Sequence, residues 1–343
     1  MELNYYISVN ENYELDIKMS CAGFIKEYKR ALGHLGKHGL QGHCDDELLC
    51  FEGGSILSMP DQCLSDSNIK ADNVNIDISF ADRVYKYNYI NLDWFGLYDI
   101  RKRCFAAGVF VSYKLNNKLV IRFDENYDYD HNMICKKVIE LYDYYKNVFG
   151  EIKQNRYEIY FLNKVYENNV FAGAGQSSCG FSFDPNLMRD WELLSHRMFH
   201  AFCDSNLKNI KLLIPPYLWL YEGLAVYHEM ESVGTAWDDL QKRYDYAKEK
   251  YKDKLELIPM AEEQYMTDGY KIEFLHYTQA PLIVKQNENI GIIGMLENGI
   301  EPQDIIDSMK LRIEAKYFSI DCVADEKLKY FDYILESWGM KND

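Results

Sequence analysis

Two histidines four residues apart are the residues of this sequence best placed to do chemistry. His196 and His200 lie in segment 190–204, whose apolar spacing predicts a helix. At that spacing two side chains lie one above the other on a single face of a helix, so two imidazoles can share a metal ion. A second predicted helix, 219–229, carries Glu222 near its start.

Two histidines and a glutamate are the ligands of a class of catalytic zinc site whose fourth position is left to water. Because His196 and His200 come from one helix and Glu222 from the next, we expect these side chains to hold a zinc ion between the two helices. The alternative for the histidines is an ordinary pair on a half-buried helix, hydrogen-bonded to the backbone. The glutamate on its own helix favours the metal site.

Arg197 occupies the position where such a site normally carries its general base. The zinc-protease pattern His-Glu-x-x-His places a glutamate directly after the first histidine, and a guanidinium cannot accept a proton from water. Loss of a positioned base costs roughly 10²–10⁴-fold in rate. Glu192 and Glu229 are the carboxylates considered as replacements, and we expect both to orient a ligand or to lie at the surface.

Arg197 also has a constructive interpretation. A guanidinium presents a planar array of donors that suits carboxylate and phosphate groups, so beside a metal it would grip an anionic substrate. The residues therefore leave three functions open. These are a zinc-binding protein without ordinary peptidase activity, a zinc enzyme with altered chemistry on a specialised peptide or carboxylate substrate, and a metal-free binding protein.

The arrangement resembles the gluzincin metallopeptidases, and the glycyl aminopeptidase branch more than the aminopeptidase N branch. In that clan a helix with the pattern Trp-x-x-Glu-Gly-x-x-x-Tyr follows the two histidines. The corresponding residues here are His196, Arg197, His200, Trp219, Glu222, Gly223 and Tyr227. A later Tyr-x-Lys-Gly-x-x-Leu segment resembles 277–283, where Gln279 and Ala280 stand in place of Lys and Gly. The resemblance covers about residues 115–290.

This resemblance implies a role for each matched position. His196, His200 and Glu222 would be zinc ligands, and Tyr277 would donate a hydrogen bond to the oxyanion of a tetrahedral intermediate. Segment 171–183, which is punctuated by glycines, would be an edge strand that pairs with an extended peptide. A plain glycine-rich turn is the alternative for that segment.

Within segment 171–183 the candidate substrate-binding residues are Gly173, Gly175 and Gln176. Gln176 stands nearest to the acidic residue with which the family reads the substrate's free amine. Because Gln176 is neutral, we expect amine recognition to be altered together with the base.

Hydrophobic periodicity predicts the elements that must position these residues. Alternation at 3–18, 74–80, 84–90, 108–113 and 118–123 predicts an antiparallel sheet or sandwich. A strand is predicted at 156–162, and helices at 130–149 (ending at Gly150), from 185 onwards after Asp184 as N-cap, and at 238–254, 272–285 and 302–337.

We therefore expect an α+β fold in three parts. The first is an antiparallel β domain over 1–115. The resemblance implies a thermolysin-like (gluzincin) zinc-protease catalytic domain over 116–290, and a helical C-terminal lobe over 291–343 follows.

Composition narrows the partners. The formal net charge is −16 at pH 7, which opposes nucleic acid or an anionic membrane as partner. No apolar run approaches the roughly 18 residues of a membrane span, and the N-terminus shows no secretory signal. The nine scattered cysteines then favour free thiols in a reducing cytoplasm. We expect a cytoplasmic protein that binds a peptide or small molecule, with its oligomeric state left open.

A second pair with the same spacing, His34 and His38, serves as a comparison. Its segment, 33–39, contains three glycines, which oppose a helix. We therefore predict a flexible surface loop there. A metal cluster that also uses His43 and Cys44 is the alternative.

Overall fold

The computed structural model describes residues 2–9, 14–21, 24–31, 34–36, 39–41, 48–51, 54–58, 73–80, 83–92, 104–108, 110–125, 127–162, 171–172, 177–213, 217–250 and 265–309. The chain divides into two compact units. The first consists of Met1–Glu140 with Ile152–Asp190, and the second of Leu141–Glu151 with Trp191–Asp343. The domain boundaries expected after residues 115 and 290 stay a prediction.

All the strands of the described chain lie in the first unit. In chain order they are β1 (Glu2–Val9), β2 (Glu14–Cys21), β3 (Phe24–Ala31), β4 (His34–Gly36), β5 (Gly39–Gln41), β6 (Leu48–Phe51), β7 (Gly54–Ser58), β8 (Asn73–Phe80), β9 (Arg83–Tyr89), β10 (Cys104–Gly108), β11 (Phe110–Lys114), β12 (Leu119–Asp124), β13 (Tyr157–Leu162), β14 (Phe171–Ala172) and β15 (Ser178–Ser182). The alternating segments therefore form strands, as predicted.

A five-stranded sheet in the order β3-β2-β1-β8-β9 begins the chain. Its buried face carries the apolar half of the alternation, namely Leu3, Tyr5, Ile7, Met19, Val74, Ile76 and Ile78, each at most 3% exposed. The prediction of a wholly antiparallel sheet is wrong at one pair, because β1 and β8 run parallel. Alternation reports which face a residue occupies but not the direction of the neighbouring strand, and the long stretch between β1 and β8 leaves room for a crossover.

The segment around His34 is also ordered differently from the prediction. Instead of a loop, His34–Gly36 pairs with Gly39–Gln41 as a short antiparallel ladder. A two-residue connection suits such a hairpin, so the glycines that exclude a helix here permit a turn. His38, His43 and Cys44 lie outside the described residues.

The sheet nearest in sequence to the predicted site has the order β11-β12-β13-β15-β14. Its three central strands are parallel, and antiparallel strands flank them on both sides. β14 is the edge strand, with Phe171 opposite Phe181. The expected edge strand in segment 171–183 is therefore present at Phe171–Ala172, and the same unit brings β6 and β7 into contact with β14.

Helix α1 (His131–Phe149) confirms the prediction for 130–149. The Asp130 carboxylate accepts hydrogen bonds from the backbone N–H groups of Asn132 and Met133, at 2.9 and 3.2 Å, and so caps the helix. Gly150 ends it with a φ of +78°, a left-handed conformation that glycine adopts without a steric penalty.

Helix α2 (Met188–Leu207) carries both histidines and begins later than predicted. The start at 185 is wrong because Asp184 forms a local turn instead of capping the helix. Its carboxylate accepts the backbone N–H of Asn186 at 2.9 Å. Its own N–H donates to the carboxylate of Asp190 at 2.7 Å. Leu187 and Met188, at the start of this segment, are 41% and 53% exposed.

The remaining helices all belong to the second unit. They are α3 (Leu218–Val233), α4 (Trp237–Lys250), α5 (Tyr265–Gln286), α6 (Ile292–Glu297) and α7 (Pro302–Ser308), with 3₁₀ turns at Ile210–Leu213 and Glu288–Ile290. These agree with the predicted helices at 219–229, 238–254 and 272–285. Of the helix predicted at 302–337, residues 310–337 lie outside the described chain. No helix among the described residues is both long and apolar enough to cross a bilayer.

Close packing of α3 on α5 requires a glycine next to Glu222. A Cβ placed on Gly223 would lie 2.8 Å from the Ala280 Cβ and 3.0 Å from the Ala280 carbonyl carbon. We expect Gly223→Ala to lower the free energy of unfolding by about 1–3 kcal/mol through overpacking. Urea denaturation of the two proteins measures this difference.

Gly294 on α6 provides the matched control, because a Cβ there meets no atom within 4 Å. Gly294→Ala is expected to leave stability unchanged or to raise it by about 0.5–1 kcal/mol, the helix propensity difference. Adding Ala280→Gly to Gly223→Ala removes the nearest atom and should recover part of the loss. If the added Ala280→Gly recovers nothing, the close approach of these helices is contradicted.

Candidate metal centre

Helices α2 and α3 bring the three predicted ligands together. One ligand atom from each of His196, His200 and Glu222 lies within 4.8 Å of the other two. The Nε2 atoms of the two histidines are 2.9 Å apart, and the Glu222 Oε2 lies 3.2 Å from His196 Nε2 and 3.5 Å from His200 Nε2. The two sequence signals, a four-residue histidine spacing and a glutamate on the following helix, thus meet at one point.

These distances fit a tetrahedral ion. Ligand atoms about 2.0–2.1 Å from a tetrahedral zinc lie about 3.3 Å from each other, and the three measured separations lie on either side of that value. All three side chains are largely buried, with 10%, 6% and 13% exposure for His196, His200 and Glu222. The Glu222 Oε2 is buried and has no hydrogen-bond partner, as suits an oxygen whose partner is a metal ion.

Burial disfavours the charged form of each ligand side chain, and the contacts with neighbouring charged groups decide in which direction each pKa shifts. Burial lowers the pKa of His196, but its contacts with Glu222 and Glu229 outweigh that and hold the pKa above its usual value. Burial, together with the nearby His196, lowers the pKa of His200 to about 4. Burial raises the pKa of Glu222, yet the two imidazoles hold it well below its usual value. At neutral pH Glu222 is therefore an anion and His200 is neutral, which are the states that bind a metal ion, whereas a metal ion would have to displace any proton that His196 holds.

The two carboxylates considered as replacement bases have other partners. Glu229 lies 3.1 Å from the Nδ1 of His196, the ring nitrogen opposite the one that faces the other ligands. A carboxylate in that position orients a ligating histidine. Glu192 accepts a hydrogen bond from Thr235 at 2.8 Å and pairs with Arg243 at 3.5 Å. Glu229 therefore orients a ligand, as expected, whereas the expectation for Glu192 is wrong, because it is buried and braces Thr235 and Arg243 instead of a ligand.

Arg197 is partly buried, directly after the first ligand on α2. Its positive charge is among the causes that lower the pKa of His200, after burial and the charge of His196. The cation therefore lies close enough to the triad to act on it electrostatically. Like charge near a bound cation weakens metal binding, unless an anion lies between them.

Tyr277 on α5 is near the triad, with its ring centroid 5.8 Å from that of His196. Beside it, Gln279 donates a hydrogen bond to the Tyr244 hydroxyl at 2.9 Å and is buried. Ala280 packs on Gly223. The segment that resembles the family's tyrosine motif is thus held against the helix that carries Glu222, although Gln279 and Ala280 replace the motif's Lys and Gly.

The three predicted substrate-binding residues, Gly173, Gly175 and Gln176, lie outside the described chain. Sequence reasoning missed a pair that does contact the site. Tyr221, which precedes the ligand Glu222, lies against the His200 ring, and its hydroxyl binds Asp204. The available signal was the four-residue spacing between His200 and Asp204 on one helix.

Several solved structures are similar to this chain at low sequence identity. An aminopeptidase N family protein from Idiomarina loihiensis matches with a TM-score of 0.57 at 10% identity, over 93% of this chain and 74% of that chain. Leukotriene A4 hydrolase from Saccharomyces cerevisiae matches with a TM-score of 0.47 at 11% identity, over 97% and 66%. An M1 zinc metallopeptidase from Deinococcus radiodurans matches with a TM-score of 0.47 at 9% identity, over 99% and 90%.

The Idiomarina loihiensis protein carries this comparison, because its TM-score of 0.57 indicates a shared fold. No protein-family model matches the sequence, and no curated protein is similar to it. The chain therefore has a mixed α/β fold similar to that of an aminopeptidase N family protein. Within that fold it carries a candidate metal-binding triad of His196, His200 and Glu222.

Proposed function

We propose that this protein binds one zinc ion through His196, His200 and Glu222 and has no ordinary peptidase activity. The convergence of the three ligand atoms within 4.8 Å supports the first part. The second part rests on Arg197, which stands where a glutamate would take a proton from water. Glu229 contacts the Nδ1 of His196, and Glu192 pairs with Thr235 and Arg243, so neither supports rescue of the base.

When bound, zinc would acidify a water molecule and polarise a carbonyl group. The residues of the chain supply the rest. Glu229 fixes the orientation of His196, and Tyr277 would donate a hydrogen bond to a carbonyl oxygen of a bound ligand. Without a proton acceptor at position 197, the protein would bind a peptide at this site without cleaving it at an ordinary rate.

We propose that the ligand is an extended peptide lying along segment 171–183, with Gly173, Gly175 and Gln176 contacting it. Support comes from the edge position of β14 in its sheet, because an edge strand can pair with an added strand. β14 also contacts β6 and β7, which leaves less of this edge for an added strand.

Metal analysis tests the proposal directly. We expect purified wild-type protein to contain about one zinc per chain, and added zinc to raise its melting temperature, since a ligand that binds only the folded state stabilises it. His196→Ala and Glu222→Ala should abolish both effects. His131→Ala, which removes a half-buried histidine bonded to Tyr113, should keep the zinc content. A zinc-free wild type under zinc-replete conditions would remove the metal site from the proposal.

A second candidate function is a zinc enzyme that grips an anionic substrate with Arg197. The electrostatic effect of this partly buried cation on His200 favours it. In this case Arg197→Ala abolishes turnover of the specialised substrate, whereas Arg197→Lys retains part of it because the charge remains. Under the first proposal neither variant changes a measured hydrolysis rate.

We propose a cytoplasmic location. The cysteines Cys135, Cys179 and Cys203 are buried and form no disulfide, which suits a reducing compartment.

A further inference from the structure

The two histidines of the triad are held by different means. On His196, the ring nitrogen that points away from the triad meets the Glu229 carboxylate at 3.1 Å. On His200, the corresponding Nδ1 is buried and has no hydrogen-bond partner. A ligating histidine normally gains its orientation from a partner on that second nitrogen, so another contact must orient the ring of His200.

That contact is an aromatic one. The ring of Tyr221 lies against the ring of His200, with centroids 4.6 Å apart and an interplanar angle of 32°. The ring of Phe199 also contacts His200, with ring centroids 5.7 Å apart and an interplanar angle of 75°. Tyr221 is 5% exposed, and on α3 it directly precedes the ligand Glu222. Tyr221 therefore contacts the ligand His200 with its ring and is the chain neighbour of the ligand Glu222.

The tyrosine ring is in turn anchored to the helix of the histidines. Its hydroxyl donates a hydrogen bond of 2.7 Å to the Asp204 carboxylate. Asp204 lies one turn after His200 on α2 and is 4% exposed. The hydrogen bond joins α2 to α3 directly behind the triad, and because it is buried and charge-assisted it restricts the ring strongly.

We infer that Tyr221, anchored by Asp204, is the positioning residue of His200 and takes the place of a hydrogen bond to its Nδ1. The inference rests on the proposed zinc site for its effect on metal affinity. The contact with the His200 ring stands independently of the metal. The hydrogen bond to Asp204 and the contact with the His200 ring come from different parts of the Tyr221 side chain. Two substitutions of Tyr221 therefore distinguish their effects.

The first test measures metal. Zinc affinity is determined by competition with a chelator, and cobalt is substituted to report coordination geometry by its visible absorption. Tyr221→Leu, which removes the ring, is expected to weaken zinc binding about 10–100-fold and to alter the cobalt spectrum. Tyr221→Phe, which removes the anchor, is expected to give a smaller change of the same sign.

Tyr142→Phe is the matched control. Tyr142 is 1% exposed and donates a 2.6 Å hydrogen bond to the Glu151 carboxylate, so it loses the same kind of bond away from the ligands. It should lower stability and leave zinc affinity and the cobalt spectrum unchanged. Equal zinc affinity and an identical spectrum in wild type and Tyr221→Leu would overturn the inference.

The second test uses metal-free protein, which separates this inference from the zinc proposal. Long-range proton–nitrogen spectra of the imidazoles report the His200 ring, whose signals carry the ring-current shift of Tyr221. Both Tyr221 variants should move the His200 signals and leave those of His131 in place. A wild type that binds no zinc would end the zinc proposal alone, whereas unmoved His200 signals would end the inference on Tyr221.

Discussion

Arg197→Glu is expected to give slow zinc-dependent hydrolysis of aminoacyl substrates, an activity that the proposed function denies to the wild-type protein. The substitution restores a proton acceptor directly after His196, in the position it has in the zinc-protease pattern. General base catalysis contributes about 10²–10⁴-fold, so the variant should exceed the wild-type rate by a factor in that range. The measurement is hydrolysis of aminoacyl and peptide substrates by zinc-loaded protein.

Controls isolate the base from other effects of losing the cation. Arg197→Gln removes the charge next to His200 without supplying a base, so it should bind zinc at least as tightly as wild type and remain inactive. Glu222→Ala in the Arg197→Glu background should abolish the gained activity. Robust hydrolysis by the wild-type protein would contradict the proposed function, and an inactive, zinc-loaded Arg197→Glu variant would show that the site lacks more than a base.

His228 is expected to be a large cause of the loss of stability in acid. Its ring is stacked on Phe199 with centroids 5.5 Å apart, and its Nδ1 lies 2.9 Å from the Tyr144 hydroxyl. Burial lowers the pKa of His228 from 6.5 to about 4. The unfolded chain therefore takes up a proton as pH falls below about 6.5, and the folded protein does so only near 4.

This difference gives a definite sign and window. The contribution of His228 to stability is complete above pH 6.5, declines as pH falls from 6.5 to 4, and is constant below that. With about 1.36 kcal/mol for each unit of pKa difference, the loss across the window is about 3 kcal/mol. Urea denaturation at several pH values gives the free energy of unfolding of metal-free wild type and of His228→Phe. The change with pH in the difference between these two free energies measures the loss.

His228→Phe retains an aromatic ring against Phe199 but cannot titrate. The free energy of unfolding of wild type should fall more than that of the variant as pH falls from 6.5 to 4. The difference between the two proteins should therefore shift in favour of the variant from its value at pH 7. A wild-type–variant difference that does not change between pH 7 and pH 4 would contradict the buried neutral state of His228.

Much of this protein was determined by local sequence patterns. Alternation of apolar residues predicted the strands of the N-terminal sheet, and period-3.6 spacing that ends at Gly150 predicted α1 to within a residue. The site was predictable for the same reason, because the four-residue spacing of His196 and His200 and the position of Glu222 near a helix start are local features. Local geometry transmits such patterns directly to the folded chain.

Other features depended on contacts between distant segments. The parallel pairing of β1 with β8, the start of α2 at Met188, and the two-stranded pair around His34 all departed from the local signals. In each case a neighbouring segment, a side-chain hydrogen bond or a turn competes with periodicity, and its energy is absent from a one-dimensional pattern.

The metal centre shows the division most clearly. The sequence by itself determined which residues could be ligands and that position 197 holds a cation instead of a base. Only the tertiary structure decided that Glu229 faces His196, that Glu192 faces Thr235 and Arg243, and that Tyr221 covers His200. Helical spacing sets which side chains share a face, whereas the packing of one helix on another sets which of them meet.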